Sequence, residues 1–368
     1  MNNTIKNENT WPPELEFKKD MKRSLERVYA WYNGELLDRP PVRFSRHNEA
    51  FECFDDSGRN WPSLKDRWFD VEYQLEKTVS EMERKSFLGE TFPVFWPNLG
   101  PNVIAAAYGC PYIFGEVTAW AEPLVEDMND GCCLPVFDWQ SEYIKKLDEM
   151  TDAAVDFAQD RFLVGYTDLH SGMDLCAALR GTQNLLMDIY ENPEMIHKMC
   201  NTYTDDFFRL FDHFDEKLKA KKQLSVTWMN IPSFGKLHIP SCDFSSMISE
   251  KQFLEFAMPG LVKECTHMDH NIFHMDGKDV ARHLNQILTL PKLNAIQWVQ
   301  GVGLDQPLLQ WIPLIKKIQS AGKGVVLDIR PDELEPFIAE VSPKGLYLCI
   351  AACNAEEEKD IVKRLEKW

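Results

Sequence analysis

The chain has 368 residues, of which 44% are hydrophobic and 27% are charged, and its formal net charge is −18. This composition excludes a largely disordered chain, and the length is sufficient for a large hydrophobic core. The acidic balance argues against a nucleic-acid-binding or anionic-membrane-binding surface, because both need clustered Lys and Arg.

The cysteines and the apolar segments indicate the cellular compartment of the protein. The ten cysteines are scattered singly, apart from Cys132 and Cys133, and they form no CxxC pair. The N-terminal segment has no apolar stretch typical of a signal peptide, and no apolar run approaches 18 residues. We therefore expect a cytoplasmic protein in which most cysteines are buried thiols.

The pattern of elements in chain order predicts the fold. An amphipathic helix is predicted over residues 13–32, and short β-rich runs then alternate with longer helical patterns. The predicted strands span residues 40–45, 91–97, 161–167, 223–229, 271–276, 293–299, 323–329 and 346–352. The predicted helices span residues 64–87, 141–160, 191–221, 249–268, 278–289, 307–321, 331–341 and 355–367.

Eight apolar runs that each lead into a helix-length segment predict an α/β fold of the (β/α)8 (TIM) barrel type, with residues 1–368 as a single domain. The segment 100–138 is rich in Pro, Gly and aromatic residues, and we interpret it as a capping insertion with a hairpin near residues 117–123. An open doubly wound sheet is the alternative, although no GxGxxG or P-loop follows any predicted strand.

Polar and aromatic residues occur where the predicted strands end. In a parallel barrel, catalytic groups lie at the carboxyl ends of the strands and on the loops that follow. This rule selects Trp96, Asn98, Asp168, His170, Trp228, Asn230, His274, Asp276, Gln297, Trp298, Asp328, Arg330, Cys353 and Asn354.

The HMDG run at residues 274–277 is the strongest local motif. Strand alternation places the side chains of His274 and Asp276 on the same face, and Gly277 allows a tight exit into the next helix. The pair suits two uses, as metal ligands or as a His acid/base oriented by a carboxylate. The structural alternative is a helix-capping Asp beside a packed His.

A second motif, TDLHSGMD at residues 167–174, contributes two further candidates. Asp168 and His170 alternate off the end of a predicted strand and are candidate catalytic residues. A helix cap would explain Asp174 but not the other two. Cys353 follows the last strand as either a thiolate ligand or an inert thiol.

The remaining candidates concern substrate binding. Trp96, Trp120, Trp228 and Trp298 suggest a broad apolar pocket for a flat or methylated ligand, with core packing as the alternative for each ring. Asn98 and Gln297 are polar candidates in the same pocket, and Glu122 is a candidate buried carboxylate on the inserted hairpin. Arg43 and Arg46 end the first strand, where they are either surface residues or partners for a substrate carboxylate.

Four segments resemble the uroporphyrinogen decarboxylase-like superfamily, which includes methylcobalamin:thiol methyltransferases. They are TDLHSGMDLCAALRGTQNLLMDIYENPEMI at 167–196, DFSSMISEKQFLEFAMPGL at 243–261, IFHMDGKD at 272–279 and SAGKGVVLDIRPDELEPFIAE at 320–340. The resemblance covers roughly residues 160–365, and it implies a (β/α)8 barrel. The chain departs from true decarboxylases, because it lacks their arginine-rich run after the first strand and their catalytic Asp after the second.

The methyltransferase branch of this superfamily implies a zinc site made by a His-x-Cys pair and a later Cys. The matching positions in this chain are His274, Asp276 and Cys353. Asp is itself a competent zinc ligand, so the resemblance implies zinc at these three residues. A metal-free site, in which Asp276 acts as a general acid or a hydrogen-bond acceptor, is the alternative.

The leading functional hypothesis is a corrinoid-linked methyltransferase that acts on a small molecule and receives the methyl group from a corrinoid protein. The second hypothesis is a decarboxylase or related lyase that binds a small carboxylated substrate through Arg46, with Asp168, His170 or Asp276 as the proton donor. The third is a non-catalytic corrinoid or tetrapyrrole binder. We expect no nucleic-acid or membrane partner, and a homodimer is the expected assembly.

Overall fold

The computed structural model describes residues 14–45, 54–126, 128, 134–301, 305–352 and 354–368. Two predicted site residues, Arg46 and Cys353, lie outside the described residues. No helix in the described ranges is long and apolar enough to cross a lipid bilayer.

A curled, parallel sheet of six strands forms the centre of the fold, in the order β1-β10-β9-β8-β7-β6. A parallel pair, β2–β5, lies outside this ladder, and β3–β4 is an antiparallel hairpin within the predicted insertion. The strands are β1 Val42–Ser45, β2 Val94–Phe95, β3 Tyr112–Phe114, β4 Ala119–Ala121, β5 Leu163–Val164, β6 Leu237–His238, β7 His270–Asp276, β8 Leu293–Val299, β9 Gly324–Ile329 and β10 Leu346–Ala351.

The sheet is barrel-like, but its strand ladder does not close within the described residues. Where neighbouring segments of the barrel-like sheet form no strand pairing, single backbone hydrogen bonds link them. Glu90 donates its N–H to the carbonyl of Val42 over 2.6 Å, and Tyr166 donates to the carbonyl of Val226 over 2.9 Å. The predicted strand at 223–229 forms only one isolated bridge, between Ser225 and Ser233, because the chain turns back on itself there.

Helices surround the sheet and connect its strands. They are α1 Met21–Tyr32, α2 Leu64–Phe69, α3 Val71–Glu83, α4 Val103–Ala107, α5 Glu142–Ala158, α6 Gly172–Arg180, α7 Thr182–Glu191, α8 Pro193–Ala220, α9 Glu250–Gln252, α10 Met258–His267, α11 Gly277–Ala281, α12 Leu284–Ile287, α13 Ile312–Ser320, α14 Leu334–Ile338 and α15 Ala355–Leu365. Short 3-10 turns at Asp243–Met247, Leu308–Trp311 and Pro331–Glu333 and a π turn at Phe253–Ala257 complete the described helical segments.

Strand alternation separates two hydrophobic layers. On β7, Phe273 and Met275 are fully buried and pack in the layer between the sheet and the helices. Ile272, on the opposite face, belongs to the inner cluster that also contains Val326 and Tyr347. A parallel sheet covered by helices on its outer face and filled by side chains on its inner face explains the continuous apolar strands in the sequence.

Helix α1 covers the amino-terminal end of the sheet. Its Leu25, Val28 and Trp31 are buried in the inner cluster, and Trp31 donates its indole N–H to the carbonyl of Gly345 over 2.9 Å. A Cβ atom on Gly324 would lie 2.9 Å from Trp31 Nε1, so this close contact requires glycine at the start of β9. The predicted N-terminal helix therefore packs against the inner apolar cluster.

Candidate active site

The central pair of the candidate site is His274 and Asp276, at the carboxyl end of β7. Both side chains lie on the inner face, as the HMDG spacing predicts, and Gly277 has φ 79° where the chain leaves the strand. Gln297 on β8 is in register with His274, and its Oε1 lies 2.7 Å from His274 Nδ1. Because the amide oxygen accepts a hydrogen bond there, Nδ1 carries the proton and Nε2 presents its lone pair to the site.

A third candidate ligand, Asp243, is brought to the pair by the chain that follows β6. Ser241 forms a parallel bridge with His274, and His274 donates its backbone N–H to the carbonyl of Pro240 over 2.9 Å. These contacts hold the segment around Ser241 beside β7, and Asp243, two residues after Ser241, therefore lies next to His274 and Asp276. The ligand atoms of Asp243, His274 and Asp276 all lie within 4.8 Å of one another.

The chemistry of these three donors fits a divalent metal ion. One imidazole nitrogen and two carboxylate oxygens are accepted ligands of Zn²⁺, and two carboxylates balance the charge of a divalent ion. Ligand bonds of about 2.0–2.2 Å need donors closer together than 4.8 Å. Asp243 and Asp276 are exposed enough for their side chains to turn inward. Asp243 therefore stands beside the predicted pair, whereas Cys353 lies outside the described residues and its role stays a prediction.

Asp174 organises the turn that carries Asp243. Its carboxylate accepts hydrogen bonds from the hydroxyl of Ser241 over 2.9 Å and from the backbone N–H groups of Asp243 and Phe244 over 3.1 and 3.0 Å. Partial desolvation by the surrounding protein, followed by the nearby Asp174 charge, raises the pKa of the Asp243 carboxyl above its usual value, although the residue is exposed to solvent on one side. Asp174 thus fixes the backbone of this candidate ligand and favours its protonated form when no cation is near.

The predicted pair Asp168 and His170 is joined to the same turn. His170 Nε2 lies 3.0 Å from Asp168 Oδ2, and its Nδ1 lies 3.0 Å from the hydroxyl of Ser241. Burial alone would lower the pKa of His170, but the charge and hydrogen bond of Asp168 outweigh it and raise the pKa to about 9. His170 is therefore a cation at neutral pH. The hydroxyl of Ser241 lies between the imidazole of His170 and the carboxylate of Asp174 and is hydrogen-bonded to both.

A buried polar group supports this arrangement from behind. Ser171, which precedes α6, donates its hydroxyl to Glu264 on α10, and His238 Nε2 lies 3.3 Å from the other oxygen of Glu264. All three side chains are buried. Buried polar groups with mutual hydrogen bonds hold a fixed geometry, so Glu264 ties α10 and β6 to the loop that carries His170.

Two cavities are lined in part by residues predicted for the site. One, of about 420 Å³, is lined by the inward-facing Arg43, Asn230, Asp328 and Cys349 and extends between β1 and β2. The other, of about 480 Å³, is a more open groove whose lining includes His170, Asp174 and Asp243 together with Pro123 and Met247. The candidate ligand Asp243 is therefore reachable from the surface groove.

The predicted tryptophans take different positions. Trp228 contacts the His274 ring edge-on, with centroids 5.5 Å apart, and Trp96 packs against the inner apolar cluster. Trp298 does not line the interior, contrary to the prediction. It follows the inward-facing Gln297, so alternation turns it outward, where it is fully buried against Trp311 at 4.9 Å.

Three other candidates on the insertion side do not join the metal-ligand group. Trp120 is 46% exposed on β4. Glu122 is exposed rather than buried as predicted, because the hairpin places it on the outer surface after β4. Asn98 accepts a hydrogen bond from the backbone N–H of Gly100 over 2.8 Å, so its side chain shapes a turn.

The sequence prediction missed Asp243 and the role of Asp174. β6 has only two residues, too few to produce an alternating pattern, so the sequence marks no strand end before Asp243. The signal was nevertheless present, since Asp243 begins one of the four segments that carry the family resemblance. Asn354, also in the predicted polar set, instead caps α15 by accepting the N–H groups of Glu356 and Glu357.

Comparisons with known proteins bear on the fold. No protein-family model and no curated protein matches the sequence. A solved structure of a methyltransferase from Methanosarcina mazei is similar in fold, with a TM-score of 0.63 over 93% of this chain and 97% of that chain, at 13% sequence identity. At this identity, the likeness establishes a shared fold.

Proposed function

We propose that this chain is a corrinoid-linked methyltransferase of the uroporphyrinogen decarboxylase-like superfamily, built on a (β/α)8 barrel and acting on a small thiol. The observation that carries the proposal is the convergence of Asp243, His274 and Asp276 at the carboxyl end of the sheet. The fold it shares with the Methanosarcina mazei methyltransferase adds support.

The proposed reaction joins a methyl group to the sulfur of the acceptor. The bond between the methyl carbon and the metal of the corrinoid would break, and its electron pair would stay with the corrinoid. A bond would form between the acceptor sulfur and the methyl carbon, and the thiol proton would be released. A divalent ion held by Asp243, His274 and Asp276 would lower the pKa of a bound thiol and supply the thiolate nucleophile.

The chain's own residues have separate roles in this proposal. Gln297 holds the proton on His274 Nδ1 and so directs the Nε2 lone pair into the site. Asp174 fixes the turn of Asp243. Trp228, edge-on to His274, excludes water from one side of the imidazole. Asp168 keeps His170 charged, which offsets part of the negative charge of Asp174 and Asp243.

Cys353, which follows β10 by two residues in the sequence, enters the proposal as a fourth ligand. Its replacement by Ser in protein loaded with Co²⁺ tests this role, because a thiolate ligand gives a strong near-ultraviolet charge-transfer absorption that oxygen and nitrogen ligands lack. We expect the wild-type band to disappear in Cys353→Ser. If neither protein has such a band, the site has no sulfur ligand.

The function is tested with free methylcobalamin as the methyl donor and a panel of small thiols as acceptors. We expect metal-loaded protein to accelerate the loss of methylcobalamin absorbance and to form the methyl thioether, and Asp276→Ala to lose this acceleration. Asp279, an exposed carboxylate in the first turn of α11, gives the matched control Asp279→Ala, which should remain active. Purified protein that binds no divalent ion and transfers no methyl group would overturn the proposal.

A further inference from the structure

We propose that Met173, Cys176 and Cys200 form a buried binding site for a soft, monovalent metal ion of the Cu⁺ type, separate from the candidate active site. We refer to these three residues as the sulfur cluster. The inference goes beyond the proposed methyl transfer and does not depend on it, because it rests on side chains of a different part of the fold.

The sulfur cluster lies where α6 packs against α8. Met173 and Cys176 are three residues apart on α6 and therefore share one face of that helix, and Cys200 meets them from α8. The Sγ atoms of Cys176 and Cys200 are 3.7 Å apart, and Cys200 donates its S–H to the Sδ of Met173 over 3.4 Å. Both cysteines are free thiols. Three sulfur atoms from two helices therefore form one continuous group.

These separations suit donors that share one metal ion. Zinc–thiolate bonds are about 2.3 Å long, and at that bond length two sulfurs on one ion are at most about 4.6 Å apart. Both sulfur–sulfur contacts lie within this limit, so neither helix has to move to bring the donors together. The methionine side chain is unbranched and flexible, and the thioether of Met173 can therefore turn toward Cys176 while α6 stays in place.

The type of donor decides which ion the sulfur cluster favours. Soft thiolate and thioether ligands select Cu⁺, whereas carboxylates suit harder ions. Thiolates also bind Zn²⁺, but a thioether is not among the usual zinc ligands. The sulfur cluster offers sulfur alone, while the candidate active site offers one imidazole nitrogen and two carboxylate oxygens. The two sites would therefore prefer different metal ions.

The apolar surroundings of the sulfur cluster favour a site without net charge. Cys176 is fully buried, Met173 and Cys200 are buried, and all three belong to the hydrophobic layer between the sheet and the helices. Burial raises the pKa of the Cys176 thiol well above its usual value, so this thiol is protonated when no ion is near. On binding, a sulfur–copper bond would form and one thiol proton would be released, so that a single thiolate balances the charge of Cu⁺.

An ion in the sulfur cluster would link the two helices close to the candidate active site. Met173 and Asp174 lie in the first turn of α6, and Asp174 fixes the turn of Asp243. An ion that binds the folded protein more tightly than the unfolded chain stabilises the fold, so Cu⁺ should raise the melting temperature. This rise gives a readout that is independent of methyl transfer.

The experiment measures Cu⁺ binding without oxygen and with ascorbate present, in competition with the chromophoric chelator bathocuproine disulfonate. We expect the wild type to hold a tightly bound equivalent of Cu⁺ that Cys200→Ala lacks. Loss of a residue that only orients a ligand costs about 10- to 100-fold in metal affinity, so loss of the ligand itself should cost more than about 100-fold. Met173→Leu keeps the side-chain volume and should weaken binding less, and it replaces Cys200→Ala if that variant does not fold.

Two further variants make the result decisive. Cys265 on α10 is also a fully buried thiol in the same hydrophobic layer, so Cys265→Ala is the matched control. It should bind Cu⁺ as the wild type does, with the same rise in melting temperature. Asp276→Ala should lose Zn²⁺ binding and keep the Cu⁺ equivalent, whereas Cys200→Ala should keep Zn²⁺ binding.

Three results would overturn the proposal. They are Cu⁺ binding that is unchanged in both Cys200→Ala and Met173→Leu, an equal loss of Cu⁺ binding in Cys265→Ala, and a wild type that leaves all Cu⁺ to the chelator. A protein that binds Cu⁺ at the sulfur cluster but neither Zn²⁺ nor the methyl donor would retain this site and lose the proposed function.

Discussion

Replacing Asp174 by Asn tests how the turn of Asp243 is held. The carboxylate of Asp174 accepts the N–H of Asp243 and the hydroxyl of Ser241 at one oxygen and the N–H of Phe244 at the other. An amide has a single acceptor oxygen, so its NH₂ group must face at least one of these donors. We expect one backbone N–H to lose its partner, at a cost of about 1–3 kcal/mol in the free energy of unfolding.

The effect on metal binding should be larger than the effect on folding. Loss of a residue that orients a ligand typically weakens metal affinity by about 10- to 100-fold. The removal of the Asp174 charge also favours ionisation of Asp243, because that charge raises the pKa of Asp243. A weaker metal affinity in Asp174→Asn would therefore reflect the loosened turn and not protonation of the ligand.

The assay is a competition titration of Zn²⁺ against a chromophoric chelator, with a thermal melt of the same protein. Asp138→Asn is the matched control, because Asp138 also accepts a backbone N–H, that of Gln140, in an exposed turn before α5. The control should keep wild-type metal affinity. If Asp174→Asn binds Zn²⁺ as tightly as the wild type and melts at the same temperature, Asp174 does not hold Asp243 in the way described.

Three further outcomes are expected. His274→Ala should bind the divalent ion far more weakly and lose methyl transfer with it, while losing about 1 kcal/mol of stability; full activity per folded molecule at a lowered melting temperature would make His274 a structural residue. Because Asp168 raises the pKa of His170 above its ordinary 6.5 to about 9, the stability contributed by charged His170 should be complete below about pH 6.5 and lost as the pH rises toward 9. Melting temperatures of the wild type and His170→Gln across this range should converge, and a constant difference would refute the pairing. Trp298→Ala should cost about 3–5 kcal/mol in a denaturant titration, since the ring is fully buried, with Zn²⁺ affinity unchanged; a large loss of affinity would place Trp298 in the site.

The strands β7 to β10 and their inward-facing residues could be predicted because each is a run of six or seven residues with a regular period. The shared face of His274 and Asp276 on β7 follows from that period, whereas the register that places Gln297 beside His274 is set by the pairing of β7 with β8. The part of the barrel-like sheet that lies between β1 and β7 in the sequence could not be predicted in the same detail. There, β2, β5 and β6 have two residues each, and a turn replaces the strand predicted at 223–229.

Residues that loops bring into the site could not be predicted from the sequence for the same reason. Asp243 depends on the bridge between Ser241 and His274, and Asp174 depends on hydrogen bonds across 69 and 70 residues of chain. The helices α6 and α7, which follow the TDLH motif, were also not predicted. Gly181, with φ 83°, divides them and breaks the helical pattern. Contacts of this kind are set by tertiary packing and leave no local periodic signal.

Helix α1 has a consequence for the order in which reactants meet. Trp31 and its neighbours close the amino-terminal end of the interior. In the proposed methyl transfer, the small acceptor would therefore not pass through that end and would share the opposite approach with the methyl donor. A corrinoid is far larger than a cavity of about 420 Å³ and would cover this approach when it docks. We therefore expect a compulsory sequence, in which the acceptor enters first and the methylated product leaves only after the spent donor has departed. In steady-state kinetics, excess donor should then slow turnover by trapping the product inside.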